Sequence, residues 1–323
     1  MGYGSYSHEA HRALTHKRSN MPREAVFVQR ECHPLMNPKG LKVRESRDSA
    51  EHPNSLGVVF ALDVTGSMGH IPEQLARTSL PTFMKTLLNC GVEDAQVLFM
   101  AAGDAHSDRA PLQVGQFESE AALMDQWLTW SYLEGGGGGS GEESYELAMY
   151  TAARHTAMDC WEKRGKRGYY FMTGDERPYP RVSKSQVKSL IGDDLGSDVE
   201  VKRVLAELEK TYHPFFLIPD KQRAGRCERR WRDLMGDHCI VLESAADTCL
   251  VAAAIVGLSE GRLTDLDVAA KRLSEGGADR TTIGRVVRAL QPWTASIDLD
   301  VDPGPRLKKA KPGRSRTSGH RAL

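Results

Sequence analysis

The sequence predicts an α/β fold, a doubly wound and mostly parallel central sheet flanked by helices, and three observations carry that expectation. Val58-Val59-Phe60-Ala61-Leu62 places five apolar residues in a row, the pattern of a strand buried on both faces inside a parallel sheet. Apolar runs of the same kind recur at Ala95–Ala101, Tyr169–Met172, Pro214–Ile218 and Cys239–Leu242. Between them lie stretches with helical spacing, so strand and helix alternate from Gly57 onward.

Taken in order, residues 1–23 are rich in Ser, His and Arg and read as a mobile arm. Ala25–Arg30 and Leu41–Glu45 are short strand candidates. The turn formers Asn37-Pro38-Lys39-Gly40 between them make a β-ribbon possible. After the polar link Ser46–Ser55 comes the strand 58–62, then a helix from about Pro72 to Asn89 that Pro81 should kink. Ala95–Ala101 ends in Gly103-Asp104. Val114–Phe117 reads as an edge strand and Glu120–Tyr132 as a helix. Five glycines, Gly135–Gly139, precede a helix from about Glu142 to Lys163. Tyr169–Met172 ends in Thr173-Gly174-Asp175. Helical patterns follow at Lys184–Ile191 and Val199–Tyr212, and a very basic helix at Gln222–Met235 separates the last two strands. After Asp247 the chain reads as helices to about Leu290. The expected organisation is an arm over 1–54, the main domain over 55–258, a helical extension over 259–295 and a disordered basic tail over 296–323.

The 323 residues carry 43 basic and 43 acidic side chains. That balance hides an asymmetry. Seven basic residues and no acidic one follow Pro305, so the preceding body has a net charge of −7. A mildly acidic body makes a nucleic-acid partner an unfavoured expectation. The six cysteines are scattered without a Cys-x-x-Cys pair, which suits reduced packing residues better than disulfides or zinc. The first 20 residues lack a hydrophobic signal core, and no apolar run approaches the ~20 residues of a membrane span. A cytoplasmic protein without a membrane span is expected.

The chemistry gathers after the first strand. Asp63-Val64-Thr65-Gly66-Ser67 sets a carboxylate and two hydroxyls two residues apart, at the strand end where open α/β sheets bind ligands. Hard oxygens of this kind suit Mg²⁺ or Mn²⁺. The stretch resembles the D-x-[ST]-x-S motif of von Willebrand factor type A domains, whose metal-ion-dependent adhesion site lies at the end of the first strand. Two further loops extend the resemblance. Gly137-Gly138-Gly139-Ser140-Gly141-Glu142-Glu143 stands where the family has a second loop carrying Thr or Asp, and places Ser140 at the ligand position. Asp175, after a hydrophobic strand, matches the third loop. The resemblance covers roughly Ser55–Leu258 and implies a metal held by Asp63, Thr65, Ser67, Ser140 and Asp175. In the family the hydroxyls bind the cation directly while carboxylates often act through water. The ion then keeps an open position for a partner's Asp or Glu.

The implied function is non-enzymatic: metal-dependent protein–protein interaction inside the cell, possible partners being an AAA+ ATPase or another assembly subunit. Two other readings stand beside it. Asp63-Val64-Thr65-Gly66-Ser67 and Thr173-Gly174-Asp175 also resemble segments of haloacid-dehalogenase-like phosphotransferases, in which Asp63 would be a nucleophile. Against that, Gly192–Asp198 follows a helical pattern where those enzymes need an acidic loop after a strand. The third reading is a metal-free scaffold. Local alternatives exist as well: Ser140 and Glu143 form a capping-box pattern, and Asp104, His106 and Asp108 suit either a second metal site or an exposed turn. The arginines at 223, 226, 229, 230 and 232 suit a solvated helix face, with Trp231 as a core residue or an interaction anchor.

Overall fold

The computed structural model describes residues 6–66, 68, 70–135 and 141–297. Its centre is a six-stranded mixed sheet. The strands are β1 (Leu56–Asp63), β2 (Ala95–Ala102), β3 (Leu112–Val114), β4 (Gly168–Thr173), β5 (Tyr212–Ile218) and β6 (Cys239–Val241). Their spatial order is β6-β5-β4-β1-β2-β3, and every neighbouring pair is parallel except β2 with β3. The chain moves outward from β1 through β2 and β3, then returns to the other side of β1 with β4. Strand order therefore reverses between β1 and β4.

The longer helices are α1 (His8–Arg18), α2 (Leu80–Asn89), α3 (Ala121–Thr129), α4 (Tyr145–Arg154), α5 (Lys184–Leu190), α6 (Val201–Thr211), α7 (Lys221–Met235), α8 (Thr248–Ser259), α9 (Leu266–Glu275) and α10 (Arg280–Ser296). They cover both faces of the sheet, which is why β1 is apolar without alternation and buried along its whole length. On one face Phe99, Phe60, Phe171 and Phe215 stand in register across four strands. Their neighbouring rings lie 5.4–6.0 Å apart. Phe83 of α2 meets Phe60 edge-on at 5.1 Å, and Trp293 of α10 meets Phe215 at 5.4 Å. Phe216, one residue on, faces the opposite way. There it stacks on Trp231 of α7 at 3.8 Å and meets Tyr145 of α4.

Several local expectations are corrected. Residues 8–18 form a helix rather than an arm, capped by the Ser7 hydroxyl and packed against α2 and α3. Arg18 pairs with Asp125 of α3. Ala25–Arg30 is not a strand: Arg23–Val26 is one helical turn, and Val26 and Phe27 join the core. Arg44–Ser46 pairs in parallel with Thr156–Met158, so no ribbon forms between the two N-terminal segments. That pairing also breaks the helix expected over Glu142–Lys163 into α4 and the single turn Asp159–Glu162. The edge strand is Leu112–Val114, slightly earlier than Val114–Phe117. At the expected kink, a π turn over Leu75–Ser79 links His70–Gln74 to α2. Pro81 lacks an N–H and its ring would crowd the carbonyl four residues earlier, so a widened turn there relieves the clash.

Val26 and Phe27 near one end and Leu290 and Trp293 near the other belong to the same hydrophobic cluster as the sheet. Among the described residues no helix is long and apolar enough to cross a membrane. The basic tail from 298 onward lies outside the described residues.

Candidate metal centre

Asp63 is the last residue of β1, and Asp175 follows β4 after Gly174. Leu62 lies opposite Thr173 in the register of these strands. Both carboxylates thus sit at the carboxyl ends of adjacent parallel strands, in the crevice where strand order reverses. Open α/β sheets bind ligands at such a crevice.

Asp63 is fully buried. Its Oδ1 accepts hydrogen bonds from the Thr65 N–H at 2.9 Å and the Thr65 hydroxyl at 2.6 Å. Its Oδ2 accepts one from the Tyr145 phenol at 2.5 Å. Gly174 makes room for that phenol: a Cβ there would stand 2.5 Å from the tyrosine oxygen. Asp175, also fully buried, accepts from Arg223 Nη1 at 2.6 Å. Of the five residues the sequence nominates, Asp63, Thr65 and Asp175 come together here. Ser67 and Ser140 lie outside the described residues.

Carboxyl groups are concentrated around this crevice, and burial favours their protonated forms. The Asp63 carboxyl is pushed up to about 7, chiefly by burial, against its hydrogen bonds from Thr65 and Tyr145. Glu143 is pushed up to about 9, first by burial and then by Asp63, Asp104, Asp108 and Glu176. One of its oxygens is buried without a hydrogen-bond partner among the described residues. Glu146, at the start of α4, is raised well above the ordinary range by burial, against the backbone N–H groups of Glu146 and Tyr179 beside it. The countercharges come from α7, whose Arg223 reaches Asp175 and whose Arg226 reaches Glu176 at 3.3 Å.

The donor set fits a hard divalent cation in kind. It consists of carboxyl groups and a hydroxyl, and a buried carboxyl oxygen of Glu143 is left unpartnered among the described residues. Among the described residues no three His, Cys, Asp or Glu side chains form a group that could hold a metal. A cation would therefore lean on hydroxyls. Thr65 suits that role: its proton is donated to Asp63, which leaves its oxygen lone pairs for a metal.

Two residues central to the crevice carry no local sequence signal. Tyr145 belongs to a helix whose start is displaced from the reading above, because Ser144, not Ser140, is the N-cap residue. Glu143 instead lies in a two-residue strand paired with Arg177–Pro178. Arg223 was a candidate for a solvated face, yet it supplies the charge on Asp175. Trp231 is core, and its indole N–H donates to the Glu176 carbonyl at 3.0 Å. The Asp104–Asp108 loop is a turn that exposes His106 and Ser107 while its first carboxylate turns inward. Asp104 is buried and accepts from the His106 N–H and the Tyr179 hydroxyl, while Asp108 accepts from the Asp104 N–H.

Profiles of known protein families give no match to the chain. In sequence it is similar to RNA polymerase sigma-54 factor 1 of Bradyrhizobium diazoefficiens, at 27% identity over 174 residues, 50% of this chain. The match spans 34% of that protein's length. In structure it is similar to the pilus adhesin SpaC from Lactobacillus rhamnosus GG in its open conformation. There the TM-score is 0.43 at 11% identity, over 71% of this chain and 31% of the adhesin. It is also similar to proximal thread matrix protein 1 from the mussel byssus, with a TM-score of 0.39 at 8% identity over 66% of this chain and 48% of that one.

Proposed function

We propose that the chain is a metal-dependent protein-interaction module of the von Willebrand A type. In this reading Mg²⁺ or Mn²⁺ is held by Asp63, Thr65, Ser67, Ser140 and Asp175, and a partner's Asp or Glu completes the site. The observation that carries the reading is the meeting of Asp63, Thr65 and Asp175 at the switch point of a mostly parallel sheet. A metal bound there supplies an under-neutralised positive charge that attracts a carboxylate. The protein's own part is to hold the oxygens rigidly: β1 fixes Asp63, and Asp63 orients the Thr65 hydroxyl.

A cavity of about 450 Å³ opens beside this crevice, lined by Gly141, Glu176, Arg177 and Arg226. Two arginines at its rim favour an acidic segment of a partner. An ATPase or another assembly subunit is the partner class that the family resemblance suggests. A cytoplasmic location is part of the same proposal, supported by six free thiols, five of them buried. The phosphotransferase reading has less support, because the acidic stretch Gly192–Asp198 follows the helix α5 and not a strand.

Calorimetry with Mg²⁺ and Mn²⁺ tests the reading. Wild type should bind, while Asp63→Asn and Thr65→Ala should each lose at least tenfold in affinity without a change in far-UV circular dichroism. Equal binding by all three proteins would remove the metal site.

A further inference from the structure

The helix α1 and the segment from the π turn into α2 enclose a groove of about 850 Å³. Its charged lining comes from His8, Glu9, Arg12 and His16 of α1, Arg77 of the π turn and Lys85 of α2. Residues 8, 12 and 16 are four apart and so share one face of α1. Arg77 is already committed. It donates to Glu73 at 2.9 Å and to the carbonyls of Arg18 and Met21 at 2.7 Å each, and so fixes the wall of the groove. The side chains of His8, Arg12, His16 and Lys85 form no hydrogen bond or ion pair among the described residues.

Among the described residues of the lining, the unpaired Arg12 and Lys85 stand against a single acid, Glu9, on a body whose net charge before the basic tail is −7. His8 is held below its ordinary value, first by burial and then by the charges of Lys85 and Arg12. His8 is thus neutral, and the two permanent charges, Arg12 at the exposed rim and Lys85 half-buried on the facing wall, line the same groove. Like charges gathered in a concave site repel one another and are stabilised by an anion.

We propose that this groove is a binding site for a small phosphate-bearing molecule, a phosphate monoester or diphosphate, whose oxygens bridge Arg12 and Lys85. The size lies within the roughly 300–1,000 Å³ of small-molecule sites. Two permanent cations match the charge of a phosphate dianion, and Arg12 supplies a planar fork for its oxygens. A nucleic-acid strand fits less well, because among the described residues no Phe, Tyr or Trp lines the groove to stack a base. The acidic body also repels a polyanion. The inference does not depend on the metal-site reading.

The test uses the full chain and pyrophosphate as the probe, titrated by calorimetry at constant ionic strength, with sulfate and a single-stranded oligonucleotide in parallel. Wild type should bind pyrophosphate with a submillimolar Kd. Arg12→Glu and Lys85→Glu should each weaken it at least tenfold, and Lys202→Glu on exposed α6 should leave it unchanged. Lys85→Gln, which only removes the charge, should weaken it severalfold and guards against a folding defect in the reversed variant. Failure to bind pyrophosphate, affinity that falls equally in Lys202→Glu, or tighter binding of sulfate or the oligonucleotide would overturn the proposal.

Discussion

The Tyr145 phenol donates to Asp63 Oδ2 at 2.5 Å across 82 residues of sequence, and both groups are fully buried. This bond joins the first helical residue of α4 to the end of the central strand. Gly174 is what allows it, since a Cβ there would stand 2.5 Å from the phenol oxygen and 2.9 Å from the Phe216 ring. Gly174→Ala should therefore destabilise the fold by about 1–3 kcal/mol, the usual cost of overpacking. Gly196→Ala, with nothing within 4 Å of the added carbon, is the control. Tyr145→Phe should cost about 1–3 kcal/mol by leaving a buried carboxylate one donor short. Urea denaturation checks all three, and a Gly174→Ala protein as stable as wild type would contradict the packing described.

Arg223 sets a different expectation. It donates to buried Asp175 at 2.6 Å and so places a fixed positive charge where the proposed cation would sit. Two positive charges near one carboxylate repel each other. Arg223→Gln should then tighten Mg²⁺ binding severalfold by calorimetry, at some loss of stability without the metal. Weaker Mg²⁺ binding in this variant would show that Arg223 supports the site instead of competing for it.

Glu146 makes stability fall as pH rises from the acid side. Burial raises its carboxyl well above the ordinary glutamate value of 4.5, so the folded chain holds a proton that the unfolded chain releases. The associated stability is complete below about pH 4.5 and declines as pH rises toward the folded-state value. Glu146→Gln keeps the shape and cannot ionise. Its stability relative to wild type should rise between pH 5 and 8, measured by thermal melts across that range. A constant difference would mean that Glu146 ionises as easily in the folded chain as in the unfolded one.

His11 should act on the acid side. It is fully buried on the inner face of α1, bonded to the Tyr6 hydroxyl at 3.0 Å, and lowered to about 4, chiefly by burial. A lowered value means that the unfolded chain binds the proton first. Stability is intact above about pH 6.5 and is lost as pH falls toward 4. Over that range His11 should account for up to about 3 kcal/mol, from the conversion of roughly 1.4 kcal/mol per pH unit. His11→Phe should be less stable than wild type at pH 7 but show a flatter acid limb in chemical denaturation. An unchanged slope would contradict the burial of a neutral imidazole.

The sequence by itself determined the central strands and where two of the carboxylates fall. Val58–Leu62 and Tyr169–Met172 are continuous apolar runs, and such runs persist only where both faces of a strand are covered. Each run ends in a polar turn, so Asp63 and Asp175 could be assigned to strand ends from local pattern alone. Tertiary structure decided what surrounds them. Tyr145 and Arg223 lie 82 and 48 residues from the carboxylates they bind, and no local period encodes a contact across a sheet. The same holds for the break in the helix expected over Glu142–Lys163. Its cause is the pairing of Thr156–Met158 with Arg44–Ser46, a partner more than a hundred residues earlier. Helix α1 looked like a polar arm because its apolar content is low. Its Ser7 cap is local, but its place comes from Arg18 on Asp125 and the burial of His11, contacts that exist only once α2 and α3 are assembled. Strand burial is a property of neighbouring residues, whereas pairing of charges and hydroxyls is a property of distant ones brought together by folding.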